Sequence, residues 1–575
     1  MRTGRAGPPL YDWAVSLSGS VLAPAADPAP TRRAARAART GPAARWVPTS
    51  AAVDILFITV LVAAALVAGF IRVWIVFHSA LDADQAIVGL MAQGIRNGHL
   101  QAFYWGQHYG GVEPYPVAAM FAAFGDSPQV LNLTASVLAL ATALVVWRVG
   151  RRLFGPAAAM AAAVLSWIWS ESTLWNSTRE YGFHEVGLLL AMVVLLAALR
   201  IVGRPEPAAG RLGDWVLLGA AAGLGCWATP EVLYVALPTA FLLVTGLFHR
   251  RSPALAGKAL LGLVAFAAGS LPWIWVSAET GWATLHFVTS PVPHNTYGRR
   301  LGTFFSHVAP MIFGTRVEGA GAWEGPTTFA VVVTIVLAAA LGACALVIWL
   351  RVPLARFLVV FAVSFPFLYA AFPSNWFWND GRYGVWATPV LALLVCGGLW
   401  AAAPEGWARA VALGLVLAAL ASTLVAFNDG YGAVSSPSRL TTWSSDPNST
   451  IHALAAGLES RRVHAVYAGY WVAYELAYLS SGAVRVMPFQ NDRNPADDHL
   501  VERAPRAGWL FVHPGSFSDL ATKVGTTQFL QSSTTTESQF EAWLGAHRVP
   551  FAVTRLGDFD LVMAARNVRP SAVTG

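Results

Sequence analysis

Charge is what this sequence has least of. Only 12% of its 575 residues are Asp, Glu, Lys or Arg, against roughly 25% in a soluble protein. A string of ordinary soluble domains is therefore excluded. Cysteine is nearly absent as well: Cys226, Cys344 and Cys396 each fall in an apolar stretch, far apart. That rules out a disulfide framework or a metal knuckle, and leaves small buried apolar residues. Lysine is confined to Lys258 and Lys523. The net charge of +7 does not describe a nucleic-acid surface. Residues 1–52 hold seven arginines against Asp12 and Asp27, so this tail alone supplies +5 of it. The tail is rich in Ala, Pro and Arg, a composition that cannot build a core. No cleavable signal peptide is evident in it.

What the chain does have is apolar mass. It is 56% hydrophobic, with 24 Trp, 30 Phe and 14 Tyr, and its mean hydropathy is +0.52. These values indicate a polytopic α-helical membrane protein with aromatic belts. Apolar runs bounded by charge give about eleven spans, near 53–76, 128–148, 156–175, 183–203, 213–229, 231–248, 257–277, 327–350, 354–373, 383–402 and 407–427. Arg148, Arg151 and Arg152 follow the second span, and Arg200, Arg204 and Arg211 the fourth. Arg250, Arg251 and Lys258 follow the sixth, Arg351 and Arg356 the eighth, and Arg409 the tenth. All share the side of the basic tail, so the positive-inside rule puts the N-terminus in the cytosol and the C-terminus outside. Thr229-Pro230-Glu231 is expected to be a tight external turn of a helical hairpin.

Three parts result: a disordered tail (1–52), a multi-span domain (53–430) with external loops 77–127 and 278–326, and a soluble extracytoplasmic α/β domain (440–575). In the last, Val463–Tyr467, Trp509–His513 and Leu561–Ala564 read as strands. Ser449–Ser460, Tyr470–Ser480 and Ser538–His547 read as helices. Within the first loop, Ala86–Asn97 is amphipathic, with Ile87, Leu90, Met91 and Ile95 on one face. It is expected to lie on the outer leaflet.

Carboxylates stand at the mouth of the first span, in Leu81-Asp82-Ala83-Asp84-Gln85. Charge is costly at a membrane and calls for a reason. One reason is solvation near a helix N-terminus. The other is general-base catalysis on a hydroxyl. On an extended segment the two carboxylates would point the same way. Candidate partners for a phosphate are Arg72, Arg179 and Arg382, since Arg binds phosphate in bidentate fashion. Two of them also have a plainer reading. Arg72 would snorkel toward the interface, and Arg179 with Glu180 would form a surface pair. Glu113 is open between a second acid, a metal ligand, an acceptor contact and a solvated residue. His184 beside Glu185 could shuttle a proton or sit at a helix start. Tyr109 and Tyr383 complete the set as accessory residues. His286, His294 and His307 form no metal signature.

The stretch Asp82-Ala83-Asp84-Gln85-Ala86 through Ala92 resembles the first external loop of bacterial GT-C glycosyltransferases. The branch is that of the protein O-mannosyltransferases and the lipid A aminoarabinose transferase. Phe103-Tyr104-Trp105-Gly106-Gln107 through Glu113 is similar to the same group. So are Arg151-Arg152-Leu153-Phe154-Gly155, Arg382-Tyr383, and Tyr470-Trp471-Val472-Ala473-Tyr474 in the tail domain. The resemblance implies sugar transfer from a polyprenyl-phosphate donor to an acceptor outside the cytoplasm. The acceptor would be a glycan, lipid or protein of the cell envelope, and the location a bacterial plasma membrane. It makes Asp84 the catalytic base and Asp82 its helper. The family has Asp-Glu where this chain has Asp84-Gln85, which puts a metal at that pair in doubt; a divalent metal elsewhere stays open. Two other functions fit the same composition: a transporter or flippase of lipid-linked saccharide, and a non-catalytic scaffold. A transporter would show paired repeats and polar groups at depth, and the sequence displays neither.

Overall fold

In the computed structural model the described residues are 51–203, 210–248, 253–285, 295–317, 321–375, 381–432, 446–490, 492–514, 516 and 535–574. Among them, eight helices are long and apolar enough to cross a bilayer. They are Ala51–His78, Pro128–Leu153, His184–Val202, Pro230–Leu247, Thr327–Arg351, Pro353–Ala371, Gly381–Ala402 and Glu405–Asn428. Pro253–Gly269 and Leu271–Glu279 pass the same test as a pair bent by 61°. The bend falls where Pro272 follows Ser270, since proline removes a backbone donor. The two other expected spans correspond to shorter apolar helices, Pro156–Ile168 and Leu212–Ala228. At Pro156 the expected 20-residue run instead breaks near Ser170, and a separate helix, Glu171–Asn176, follows.

A tight turn does fall at Thr229–Glu231, but Thr229 and Glu231 are buried. A 3-10 turn, Pro230–Val232, links Leu212–Ala228 to Leu233–Leu247, and Glu231 is buried at 3% exposure. The Thr229 hydroxyl accepts from the Glu231 N–H. The local polar network therefore turns inward.

One apolar cluster runs through the helical part, with Trp386, Phe357 and Phe361 fully enclosed. Exposed Leu, Val, Ile and Phe are plentiful on the long helices, among them Leu66, Phe70, Ile335 and Val363. That is the outer surface a hydrocarbon solvent demands.

After residue 446 the architecture changes to a five-stranded sheet of order β2-β1-β3-β5-β4. The strands are β1 (Ala465–Ala468), β2 (Arg485–Pro488), β3 (Gly508–Val512), β4 (Phe551–Leu556) and β5 (Phe559–Ala564). β1 is parallel to β2 and β3, whereas β5 is antiparallel to β3 and β4. Gly557 at φ +62 lets β4 and β5 close through a two-residue turn. Helix Tyr470–Leu479 makes the crossover between the parallel strands β1 and β2.

That crossover helix lies against Ala83–Arg96 of the first loop. Ile87 and Met91 are fully buried in a cluster with Tyr474 and Tyr478, and Leu90 and Ile95 pack at its edge. The apolar face assigned to the outer leaflet therefore covers protein. The aromatic side chains of the crossover helix offer that face a better-packed partner than headgroups would.

Candidate active site

The first loop begins its helix at Ala83, three residues earlier than the periodicity suggested. Asp82 is its N-cap, with extended backbone (φ −116, ψ 172). Asp82 Oδ1 accepts from the Gln85 N–H at 3.0 Å, and Gln85 Nε2 donates to Asp82 Oδ2 at 2.9 Å. This is a standard way to satisfy the free donors of a first helical turn. The two aspartates are therefore not alternate residues of an extended strand. Asp82 closes the helix end, and Asp84 projects from its first turn. The amide at position 85 serves this arrangement: only a donor can bridge back to Asp82, and a carboxylate there would repel it.

Asp84 has partners from three distant parts of the chain. Its Oδ1 accepts from the Tyr470 hydroxyl at 2.8 Å. Its Oδ2 lies 3.6 Å from Arg382 Nη1. Its backbone carbonyl accepts from the Tyr104 hydroxyl at 3.1 Å. The side chain keeps 24% exposure and Arg382 keeps 17%, so both face an opening. Arg382 stacks over the Tyr181 ring at 4.4 Å. Arg179 donates to the Tyr181 hydroxyl at 3.1 Å and stands 3.9 Å from Asp82 Oδ2. The two aspartates and two arginines thus form a cross-braced set of four charges around one tyrosine. Burial, and then the charge of Asp84, push the Asp82 carboxyl up, against the pull of Arg179. Asn379 and Asp380, just before Arg382, lie outside the described residues.

A second layer lies beside the first. His184 Nδ1 is 3.2 Å from Glu231 Oε2, and both side chains are buried. Tyr383 meets the His184 ring edge-on at 5.4 Å. Tyr109 packs on Phe183 at 5.0 Å. Burial and then Glu231 push its hydroxyl up to about 12, so Tyr109 keeps its proton near neutral pH. Glu113 is neither solvated nor exposed. It is 1% exposed and lies beside Glu180, which is fully buried, and Glu113 Oε2 and Glu180 Oε2 are both buried without a hydrogen-bond partner among the described residues. Burial raises both carboxyls, and Glu113 raises Glu180 further. Neighbouring buried carboxyls resist ionising together. The surface setting expected for Arg179 and Glu180 does not form: both side chains are buried, Arg179 toward Tyr181 and Asp82, Glu180 toward Glu113.

Arg72 departs from both readings given to it. Its guanidinium does not snorkel, and it does not face the opening. Nε donates to Ser177 Oγ at 2.8 Å, Nη1 to the Ala68 carbonyl at 3.2 Å and Nη2 to the Trp167 carbonyl at 2.5 Å. The group also stacks on the Trp167 ring at 3.8 Å, with 1% of the residue exposed. Arg72 is an internal brace that ties the first span to the break after Pro156–Ile168.

His286 and His294 lie outside the described residues, and His307 sits in the π-helical stretch Phe304–Val308, hydrogen-bonded to Ser306. Among the described residues, no group of three or more His, Cys, Asp and Glu could hold a metal ion. Sequence reasoning missed Tyr181, put Glu180 at the surface, and saw Tyr470 only as part of a motif. Nothing local marks a tyrosine 386 residues away as the partner of Asp84.

Residues 112–275 match the model of the dolichyl-phosphate-mannose-protein mannosyltransferase family. The match overlaps the 82–113 motif by only two residues, so it is largely an independent indication. Among solved structures, ArnT from Cupriavidus metallidurans bound to undecaprenyl phosphate is similar. It shares 13% identity over 90% of this chain and 98% of that one, with a TM-score of 0.56. AglB from Archaeoglobus fulgidus, an archaeal oligosaccharyltransferase in complex with an inhibitory peptide and a dolichol-phosphate, shares 14% identity over 84% and 72%, with a TM-score of 0.48. No curated protein sequence matches the chain. The chain is a multi-pass membrane protein with the GT-C glycosyltransferase fold.

Proposed function

We propose that this GT-C protein is an inverting glycosyltransferase that moves a hexose or pentose from a polyprenyl-phosphate donor to an acceptor hydroxyl outside the cytoplasm. The observation that carries the reading is Asp84. It is a partly exposed carboxylate at the end of the first span, with Arg382 Nη1 at 3.6 Å. The polyprenyl chain stays in the bilayer and its phosphate reaches the mouth beside Arg382, with Arg179 behind. The acceptor oxygen attacks the sugar's anomeric carbon from the face opposite the phosphate. The bond from that carbon to the phosphate oxygen breaks, and the acceptor proton passes to Asp84. Polyprenyl phosphate leaves with its negative charge compensated by guanidinium groups, a preorganised form of stabilisation. One carboxylate and one displacement give inversion at the anomeric carbon.

Asp82 supports this chemistry as the cap that fixes the helix start and hence the direction of Asp84. Tyr383 and Tyr109 line the approach, and buried His184 packs behind Tyr383. Arg72 and Glu113 are assigned to the frame. Under this reading the basic tail is cytosolic, and the sheet and the mouth are outside.

Asp84→Asn tests the assignment. The amide keeps shape and can still accept from Tyr470, so protein level and bound lipid should persist. Loss of a general base costs about 10²–10⁴-fold in rate. The assay is sugar transfer in membranes, using the polyprenyl-phosphate sugar identified by mass spectrometry on the purified protein. Near-wild-type transfer by Asp84→Asn would sink the reading.

A further inference from the structure

The crossover helix Tyr470–Leu479 carries tyrosines at 470, 474 and 478, one per turn on a single face. That face meets the first loop, and each hydroxyl has a partner. Tyr470 donates to Asp84 Oδ1 at 2.8 Å, and Tyr478 donates to Asp126 Oδ1 at 2.9 Å. Tyr474 accepts from the Arg493 N–H at 2.5 Å, while Arg493 Nη1 donates to the Trp105 carbonyl at 3.2 Å. A further tie runs from the Leu81 N–H to Asn448 Oδ1 at 2.9 Å. The sheet and the loop are fastened at several points around the carboxylate.

We propose that Tyr470 is a positioning residue for Asp84, and that the mouth is complete only with this side chain from the sheet-bearing part of the chain. An aspartate carboxyl turns readily about its last torsion. A donor fixed on Oδ1 stops that rotation and presents Oδ2 toward Arg382 and the opening. Tyr470 can do nothing but donate there: burial, and then the charge of Asp84, hold its hydroxyl well above the usual phenol range. Its ring packs edge-on against Trp471 at 5.3 Å and Tyr474 at 5.2 Å, so the donor is itself held in place. Correct aim of a reacting group is worth orders of magnitude in rate.

The inference rests on the glycosyltransferase reading for its catalytic meaning, and its test separates the two. The variants are Tyr470→Phe, which removes one oxygen, and Tyr478→Phe, which loosens the same helix without touching Asp84. Both are made in the full chain in nanodiscs. The first readout is the rate at which dicyclohexylcarbodiimide labels Asp84 at one fixed pH, followed by peptide mass spectrometry. Labelling should rise several-fold in Tyr470→Phe and stay unchanged in Tyr478→Phe. Equal labelling of Asp84 in all three proteins overturns the inference whatever the reaction. The second readout is turnover with the lipid-linked sugar of the Asp84→Asn assay. Tyr470→Phe should lose about tenfold or more in kcat at unchanged donor KM, whereas Tyr478→Phe keeps both. An equal loss in the two variants reduces Tyr470 to docking and overturns its positioning role. Faster labelling in Tyr470→Phe, with no transfer by the wild type, supports the Tyr470–Asp84 contact and overturns the glycosyltransferase reading instead.

Discussion

Gly89→Ala should cost little stability and much turnover. Gly89 lies one and a half turns after Asp84, under the crossover helix. A Cβ there would sit 2.5 Å from Tyr478 Cε2, 2.9 Å from Cδ2 and 3.0 Å from Cζ, where ordinary contact begins at 3.4 Å. The ring must retreat by about 0.9 Å, the difference between 3.4 and 2.5 Å. It is not free to swing, since Tyr478 is 4% exposed and its hydroxyl is bonded to Asp126. The crossover helix must therefore shift as a body. Overpacking of this kind costs about 1–3 kcal/mol. Alanine returns about 1 kcal/mol through its better helix propensity, leaving about 0–2 kcal/mol. The same displacement carried to Tyr470 stretches its 2.8 Å bond to Asp84 beyond the 3.5 Å at which hydrogen bonding ends. Turnover should fall about tenfold while the melting temperature moves only a few degrees. Adding Tyr478→Ala relieves the clash and should restore turnover. The assay pairs sugar transfer with thermal unfolding of the same nanodisc preparation. Wild-type turnover in Gly89→Ala, or no rescue by Tyr478→Ala, would refute the coupling.

Two further predictions concern the frame. The Glu113–Glu180 carboxyls are both raised by burial, so their folded state favours a bound proton. The stability they contribute is complete below the unfolded value near 4.5 and is lost as pH rises through the folded values, by about 1.4 kcal/mol for every pH unit that separates folded from unfolded. Glu180→Gln should therefore melt with wild type at pH 4 and above it at pH 8; a variant less stable at both would show that the carboxyl itself is required. Reporter fusions at Arg152 and at the C-terminus should read cytosolic and external respectively, and a cytosolic C-terminal reporter would invert the proposed orientation.

Much of the frame was legible because hydropathy and periodicity are local. Ser449–Ser460 has the bounds its pattern gave, and strands β1, β3 and β5 fall where short apolar runs stood. β2 and β4 were not singled out: Phe551-Ala552-Val553 of β4 is apolar but exposed, so it shows no alternation against a core. The span at 156–175 failed because hydropathy does not report the break at Ser170. The helix start at Ala83 was readable in principle, since Asp82-x-x-Gln85 is a capping pattern. The site was less accessible. Arg72 looked like an interfacial cation because its partners are the carbonyls of Ala68 and Trp167, which no side-chain pattern advertises. Glu180 looked solvated because it stands next to an arginine, while its partner Glu113 is 67 residues earlier. Asp84 could be singled out by its setting, but its neighbours come from Tyr181, Arg382 and Tyr470, and only the fold brings those together.

The 386-residue separation of Asp84 from Tyr470 has a meaning for the birth of the protein. Synthesis at roughly 5–20 residues per second puts about 20–80 s between them. Throughout that interval the carboxylate is already in place at the end of the first span, while its tyrosine has yet to be made. Under the proposed function, a chain made only as far as its described spans, the last ending at Asn428, holds Asp84 without the donor that aims it. On that reading, chemistry waits for Tyr470, which is made only after the described spans.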